Sequence, residues 1–585
     1  GFGQVAFYPD HSKIGIYNNE LLILSDCRLD NRIELIEKLE INNDSISDDE
    51  LIIHAFEKWK YECTKYLIGD FAFVIWNIET KELFCARDHF GVKPFYYFFN
   101  EETLVFSSEI SAIFSQTDLN FSVDQQYIAD ALSIVKSENN RTTYSEIKKL
   151  PPAHYLNLKN NQLEVREYWK LSIQKELKID EQQIIEQFKK LLIEAVECRV
   201  TQDAKTGAEL SGGLDSSTVV AIASQFCKVK TFSHIMPDGL LGKIHPFTDE
   251  REFIQLLNDY CGIQDMFFIT SENKGLLDTL YQNIQDFKHI GQQNFSTFSD
   301  HLYTKAQQEG VSVLLSGFGG DEVVSSKSES YQNELAQSEL WDELKLDLQD
   351  QKLNQIHVFI KLTRYFLKTK CPRIYNSIAL IKSGRDLWKG KFDNLALNNE
   401  FSERMKIKER YFLQFRKNKN GTLQEKNIER ICHPHVSQRL EYCSSATRKF
   451  GIEYRYPLLD KRLIEFYLSM PIRLKARNGI KRYAIRKAIE EFVPEEIFKR
   501  NDKSGTTIPT VFMRMLNDKD KIAEIISRSK LNPIITSYID LGAYEKWYIK
   551  LCQRSQQKQT NINPGAFYNY LKLIIFIEQN PSLFK

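Results

Sequence analysis

Apolar positions along this chain change their period near residue 180. Before it they fall in short runs: Leu21-Leu22-Ile23-Leu24, Phe71–Trp76, Glu82–Ala86, Pro94–Phe98 and Thr103–Phe106. Turn residues such as Glu79-Thr80 and Asn100-Glu101 separate these runs, which predicts a meander of strands. A few helices interrupt it, one of them marked where Ile33, Leu35, Ile36 and Leu39 recur at helical spacing behind Asp30-Asn31-Arg32, an N-cap signal. Leu150-Pro151-Pro152-Ala153-His154 punctuates the end of this β-rich segment, and Tyr168-Trp169 closes it. Beyond it, Ile184, Ile185, Phe188, Leu191, Leu192, Ala195 and Val196 mark one face of an amphipathic helix. Strand candidates Lys230–Met236, Met266–Thr270 and Val311–Leu315 then alternate with helical stretches. That alternation predicts a parallel, doubly wound sheet, whose ligands bind beyond the carboxyl ends of its strands. Residues 325–430 read as helical and polar.

Composition narrows the picture only in part. A chain of 585 residues with 42% hydrophobic content holds two domains, or two plus an insertion. Its 78 basic and 78 acidic side chains cancel, so no net field recruits nucleic acid or an anionic membrane. No apolar run approaches the length of a membrane span. The ten cysteines are scattered without a C-x-x-C pair, and no secretory segment precedes them, as expected for reduced thiols in a cytoplasmic protein. The chain starts at Gly1 rather than Met, so residues upstream could be absent. Arg404–Lys419 interleaves basic residues with Tyr411, Phe412 and Phe415; it reads as a solvated amphipathic helix, or else as a docking surface for a peptide or protein.

Two glycine-rich turns carry the candidate chemistry. Ser211-Gly212-Gly213-Leu214-Asp215-Ser216-Ser217 follows Ala208-Glu209-Leu210 and leads into the helical run Thr218–Ala223. A strand, a glycine turn and a helix N-terminus offer N–H groups, hydroxyls and a positive dipole to an anion, most naturally a phosphate. Asp215 would repel that phosphate unless a cation lay between them, and Mg²⁺ is held in this way. The turn lacks the Gly-Lys-Ser/Thr ending of a Walker A loop. The plainer alternative is a capped helix start with Asp215 and Ser216 as caps. The second turn, Leu315-Ser316-Gly317-Phe318-Gly319-Gly320-Asp321-Glu322, also follows a strand and so falls on the same sheet edge. Two carboxylates from separate strand ends can meet at one triphosphate.

The first turn resembles the pyrophosphate-binding loop of the ATP-pyrophosphatase enzymes, in the form used by asparagine synthetases. The resemblance implies that Leu210, Ser211, Gly212, Gly213, Leu214, Asp215, Ser216, Ser217 and Gly317 bind ATP, and that Asp215 and Asp321 hold Mg²⁺. Ser233 stands where the related synthetases contact adenosine, although a strand-end serine can equally satisfy its own backbone. Gly69-Asp70-Phe71-Ala72-Phe73, Ala86-Arg87-Asp88-His89-Phe90-Gly91-Val92-Lys93-Pro94 and Phe106-Ser107-Ser108-Glu109-Ile110 resemble the N-terminal glutaminase domain of that family. The implied fold is an α+β glutaminase-like (Ntn-type) sandwich domain over 1–170, then an α/β ATP-pyrophosphatase (adenine nucleotide alpha hydrolase-like) synthetase domain over 171–585.

Several positions depart from the family pattern. Active glutaminases begin with a cysteine whose own amine is the base, and Gly1 stands here. Ser25-Asp26-Cys27-Arg28-Leu29-Asp30 replaces their Asn-Gly-Glu stretch. The expectation is a domain that makes no ammonia, with Cys27, Cys63 and Cys85 as structural thiols. Phe318 stands where asparagine synthetases carry glutamate and β-lactam synthetases tyrosine. Phenylalanine moves no proton, so acid–base work falls to another group, with Glu441 in Arg439-Leu440-Glu441-Tyr442 the candidate; its other reading is a solvated helix carboxylate. Gly451–Asp460 resembles the Glu-x-Arg-x-Pro-x-Leu-Asp family signature. In Gly479–Arg486, the place of the family lysine that stabilises the reacting centre is taken by Arg482, with Lys481 beside it.

As a whole the pattern is similar to the cyclases of lasso-peptide biosynthesis. That resemblance implies adenylation of an Asp or Glu side chain of a precursor peptide. Attack by the peptide's own N-terminal amine then closes a macrolactam and releases AMP. It implies as partners the precursor peptide, a leader-recognition protein and a leader peptidase. The competing expectations are an asparagine synthetase, disfavoured by Gly1 and Phe318, a β-lactam synthetase-like enzyme, and a relative that binds without turnover.

Overall fold

The computed structural model describes residues 15–17, 20–43, 45–100, 102–115, 119–133, 135–201, 205–238, 250–271, 274–291, 299–326, 331–351, 353–372, 374–375, 395–418, 421–477, 479–500, 507–556 and 565–584. Gly1 lies outside them. Among the described residues no helix is long and apolar enough to cross a membrane.

The N-terminal half is built on two antiparallel sheets. Six strands, β1 (Gly15–Tyr17), β2 (Leu21–Leu29), β3 (Gly69–Asn77), β4 (Glu82–Arg87), β8 (His154–Lys159) and β9 (Gln162–Glu167), pair in that order. Three more, β6 (Leu104–Ser107), β5 (Tyr96–Phe99) and β7 (Ile147–Lys149), form the second sheet. The period-2 pattern of β3 explains the layering. Phe71, Phe73 and Ile75 pack under the helix Asp48–Trp59, while Ala72 and Val74 share a cluster with Tyr97 of the smaller sheet and with Phe95 just before it. The predicted strands are all present. β7, β8 and β9 are additional: Pro151-Pro152 does not end the domain but turns the chain back into the large sheet, where β9 is a charged edge strand.

Asp30-Asn31-Arg32 also differs from expectation. Asn31 occupies the N-cap of the helix Arg32–Leu39 but makes no side-chain cap bond. Its amide instead donates to Tyr66 O at 2.9 Å and accepts from Ile68 N at 3.0 Å, tying the helix start to the approach of β3.

The second half contains a five-stranded parallel sheet. Its order is β12 (Met266–Ile269), β11 (Lys230–His234), β10 (Thr206–Glu209), β13 (Val313–Leu315) and β14 (Glu453–Arg455). The order reverses direction at β10, with β11 on one side and β13 on the other, so the ends of β10 and β13 form a switch point. The helix Glu181–Glu197 packs its Ile184, Phe188, Leu192, Ala195 and Val196 stripe into this core. Helices fill the described parts of 325–430, as the pattern predicts. Within Arg404–Lys419 the helix Ile407–Asn418 is docked on the N-terminal half, where Arg410 pairs with Asp130 at 2.7 Å and Gln414 bonds the Lys136 backbone.

The two halves do not have separate cores. Tyr96, Phe98, Tyr127 and Ile147 share one apolar cluster with Leu280, Ile284, Val511, Phe567 and Ile574. Buried ion pairs join the halves as well: Lys93–Glu453 at 3.0 Å, Arg448–Asp26 at 3.2 Å and Arg199–Asp30 at 2.7 Å. Burial alone would raise the Glu453 carboxyl, but Lys93, Arg455 and Arg28 outweigh it and hold the group well below the usual carboxylate range.

Candidate active site

At the end of β10 the chain keeps one more ladder bond, from Leu210 N to Phe232 O at 3.0 Å, and then turns. Leu210 itself is core, so only its backbone faces the turn. Ser211 N donates to Ser216 Oγ at 3.2 Å, and the two hydroxyls lie 3.0 Å apart. Gly212 has φ +67°, a left-handed conformation suited to glycine, and a Cβ there would meet Phe253 at 3.1 Å. Arg500 backs this corner, paired with Glu250 and donating to Gly212 O at 3.3 Å. The helix Leu214–Ala223 begins with Gly213 as its N-cap and has no side-chain cap bond. The alternative of Asp215 and Ser216 as caps therefore fails; both lie inside the first turn. Ser217 is fully buried and its Oγ has no partner.

The second turn is in direct contact with the first. A Cβ on Gly317 would sit 2.7 Å from Ser216 N and 2.9 Å from Asp215 C, and one on Gly320 would sit 2.6 Å from Asp215 Cγ. Only hydrogens fit between the two turns. A single π-helical turn, Gly320–Val324, follows and presents Asp321. Asp215 and Asp321 converge on one guanidinium: Arg482 lies 3.4 Å from Asp215 Oδ2 and contacts Asp321 Oδ1. Ser325 Oγ also donates to Asp215, and Arg430 donates to Asp321 O at 3.1 Å. Arg482 reaches the pair from a left-handed residue, φ +62°, at the start of the helix Tyr483–Ile489. Lys481 is not brought there. It is exposed on the hairpin of Ala476–Arg477 and Ile480–Lys481, and its carbonyl accepts from Arg486.

Ser233 ends β11 almost completely buried, with an unpartnered Oγ. It does not satisfy itself on its own backbone. Sequence reasoning missed Glu209, which closes β10. Its carboxylate accepts from Tyr454 OH at 2.7 Å and from Ser316 Oγ at 2.8 Å, so it braces β10, β13 and β14 beneath the turns. Ser325, Glu250 and Arg500 were missed too, because no local spacing marks them. Phe318 sits edge-on to Tyr456, ring centroids 6.2 Å apart, under the guanidinium of Arg439 at 4.3 Å.

Glu441 corrects the sequence reading. It is neither a solvated carboxylate nor a member of the aspartate cluster. It is buried at the junction of the halves, 2.8 Å from Arg87 Nη2 and 3.1 Å from Lys149 Nζ. A carboxylate clamped between two buried cations is a structural anchor. With Gln438, Tyr442 and Ser445 it lines one wall of a cavity of about 70 Å³ between the halves, whose other walls include Tyr96, Ile110, Phe287 and Lys572. The thiols agree with expectation: Cys27, Cys63 and Cys85 are buried and free, and burial pushes the Cys85 thiol well above its ordinary value.

The site has the chemistry to take Mg²⁺ and a nucleotide. The two carboxylates, with the Ser325 hydroxyl beside Asp215, form a hard oxygen donor set.

Comparison with known proteins agrees with this geometry. A glutamine amidotransferase domain model matches residues 17–169, and an asparagine synthase model matches 187–567. Asparagine synthetase [glutamine-hydrolyzing] 1 of Bacillus subtilis is 24% identical over 91% of this chain and 82% of its own length. Putative asparagine synthetase [glutamine-hydrolyzing] 2 of Methanocaldococcus jannaschii is 32% identical, over 55% of this chain and 63% of its own length. Amidase chry2 of Gibberella zeae is 23% identical over 78% of this chain and 72% of its own. A solved glutamine PRPP amidotransferase of B. subtilis, complexed with ADP and GMP, aligns at 15% identity over 44% of this chain and 63% of that one; its TM-score of 0.20 carries no argument. With the synthase model matched over well more than half of its length, the chain belongs to the asparagine synthetase family of ATP-dependent amide ligases.

Proposed function

We propose that this chain is an AMP-forming amide ligase that acts on a precursor peptide as a lasso-peptide cyclase. The convergence of Asp215 and Asp321 between two touching glycine turns carries the ligase part of this reading. A carboxylate oxygen of the substrate attacks the α-phosphorus of ATP while the bond to the bridging oxygen of the pyrophosphate breaks. An amine then attacks the activated carbonyl, a proton leaves the new nitrogen, and AMP departs. The first turn binds the phosphates through backbone N–H groups and serine hydroxyls. Asp215 and Asp321 would hold Mg²⁺, in exchange with the Arg482 guanidinium, and the metal when bound neutralises phosphate charge. Arg482, freed from the pair, supplies a fixed cation to the charge that develops at the reacting centre.

Phe318 supports the peptide reading. It removes the proton-transfer group that small-molecule members of the family carry at that place, and leaves the enzyme to hold amine and carbonyl together. The reading brings with it a leader-recognition protein and a leader peptidase as partners. A second reading, asparagine formation from aspartate, is favoured by the full-length similarity to the Bacillus synthetase.

Pyrophosphate release decides between them, measured with Mg²⁺-ATP against aspartate plus glutamine or ammonia, and against leaderless precursor peptides encoded nearby. Peptide-dependent AMP and a peptide lighter by one water establish the cyclase. Asparagine from aspartate establishes the second reading. No pyrophosphate with any substrate marks a binding protein without turnover.

A further inference from the structure

Arg439 is a half-buried cation without an anion among the described residues. It lies on the helix Pro434–Arg448, whose residues Gln438, Glu441, Tyr442 and Ser445 face the cavity between the halves. Arg439 points the other way, over the ring of Phe318 in the second glycine turn. Its Nε is buried with no hydrogen-bond partner, and among the described residues it makes no ion pair. Glu209 is in the same neighbourhood, but Tyr454 and Ser316 hold its carboxylate. The contact with the Phe318 ring leaves the N–H fork of Arg439 without a hydrogen bond among the described residues. A half-buried cation in that state is open to an anionic ligand that completes it. The fork matches a carboxylate, which it can grip in the plane while the ring fixes the plane itself.

We propose that Arg439, oriented by Phe318, is the residue that binds the carboxylate of the acyl donor beside the nucleotide turns. The proposal rests on the ligase reading and adds to it the substrate anchor. Phosphate is not the ligand in this assignment, because the first turn and Arg482 already serve it. Phe318 thereby has a role that needs no proton: it is the platform on which the anchor lies.

The test uses the full chain, loaded with Mg²⁺ and α,β-methylene-ATP, and titrated by calorimetry with three probes. These are L-aspartate, L-glutamate and an N-acetylated aspartyl peptide amide whose only carboxylate is the side chain. R439Q should weaken the probe that binds by about tenfold or more, and leave affinity for the nucleotide analogue within about twofold. R439K, which keeps the charge without the fork, should fall between. Loss restricted to the free amino acids would assign Arg439 to their α-carboxylate; loss with the peptide amide assigns it to the side-chain carboxylate, and both support the proposal. Unchanged probe affinity in R439Q overturns it, as does an equal loss of analogue affinity or a wild type that binds none of the probes. Should R439Q melt early, R439K decides by the same two affinities. Arg439-dependent binding without pyrophosphate release counts against the ligase reading alone.

Discussion

Gly317 shows how little room the site leaves at the level of single residues. Its missing Cβ lets two backbones touch, at a separation that would be 2.7 Å to Ser216 N if a methyl were added. Backbone cannot move aside as a flexible side chain can, so Gly317→Ala should cost about 2 kcal/mol or more and lower the melting temperature. Pyrophosphate formation should fall with it; a variant as stable and active as wild type would show that the turns are not packed in this way. The two aspartates should separate in a different manner. Asp321 has a side chain that is 42% exposed, whereas that of Asp215 is 8% exposed and also bonded by Ser325. Asp321→Asn should lower pyrophosphate release by about 10²–10³-fold with little change in melting temperature. Asp215→Asn should lower both. Equal thermal effects would refute the distinction.

At the level of elements, the helix Pro434–Arg448 is the wall between the nucleotide turns and the cavity at the domain junction. Its two sides have opposite electrostatics: Glu441 is doubly paired, and Arg439 has no ion pair among the described residues. Glu441→Gln leaves Arg87 and Lys149, both buried, facing a neutral amide. The expected cost is about 3–5 kcal/mol in urea unfolding, with affinity for α,β-methylene-ATP retained by the folded protein. A variant of normal stability that had lost turnover would restore the catalytic role that the sequence alone assigns to Glu441. The same element explains why that role looked plausible. Helical spacing places a carboxylate one turn from the cleft, but it does not say on which side of the helix the cleft lies.

Taken as a whole, the molecule is fastened along one long junction, and its titration should reflect this. Lys572 extends from the C-terminal helix Gly565–Gln579 to the junction cavity and donates to Gly291 O. Burial lowers its ammonium from the ordinary 10.5 to about 7. Between those values the unfolded chain binds a proton that the folded chain lacks, so stability falls as pH drops through this window and levels off below it. Lys572→Met should therefore raise the melting temperature most near pH 7, by a few degrees, with the gain shrinking toward pH 10. A pH-independent gain would mean that the lysine is charged in the fold. The shared core makes a second demand. Residues 171–585 expressed alone would expose the surfaces that Tyr96, Phe98, Tyr127 and Ile147 cover, and should aggregate or bind a hydrophobic dye. A monomeric, cooperatively unfolding fragment would refute this.

Local chemistry made much of this legible from the chain. Both glycine turns were readable because the residues that form each one are contiguous, and the strand ahead of each placed both on the same edge of a parallel sheet. The family likeness singled out Arg482. The N-terminal meander followed from period-2 runs, up to Pro151-Pro152, where a proline pair that usually stops a strand instead redirects it. Contacts between residues far apart in the chain belong to the tertiary structure alone. Glu441 meets Arg87 across 354 positions and Lys149 across 292, so no spacing could reveal that it is spent on an ion pair. Arg439 stacks on a phenylalanine brought in by another strand, and Lys481 and Arg482, neighbours in sequence, part company because one turns left-handed at a helix start. The sequence therefore determined which groups were available for chemistry. Only packing decided which of them were neutralised by partners and which were left with a charge to offer.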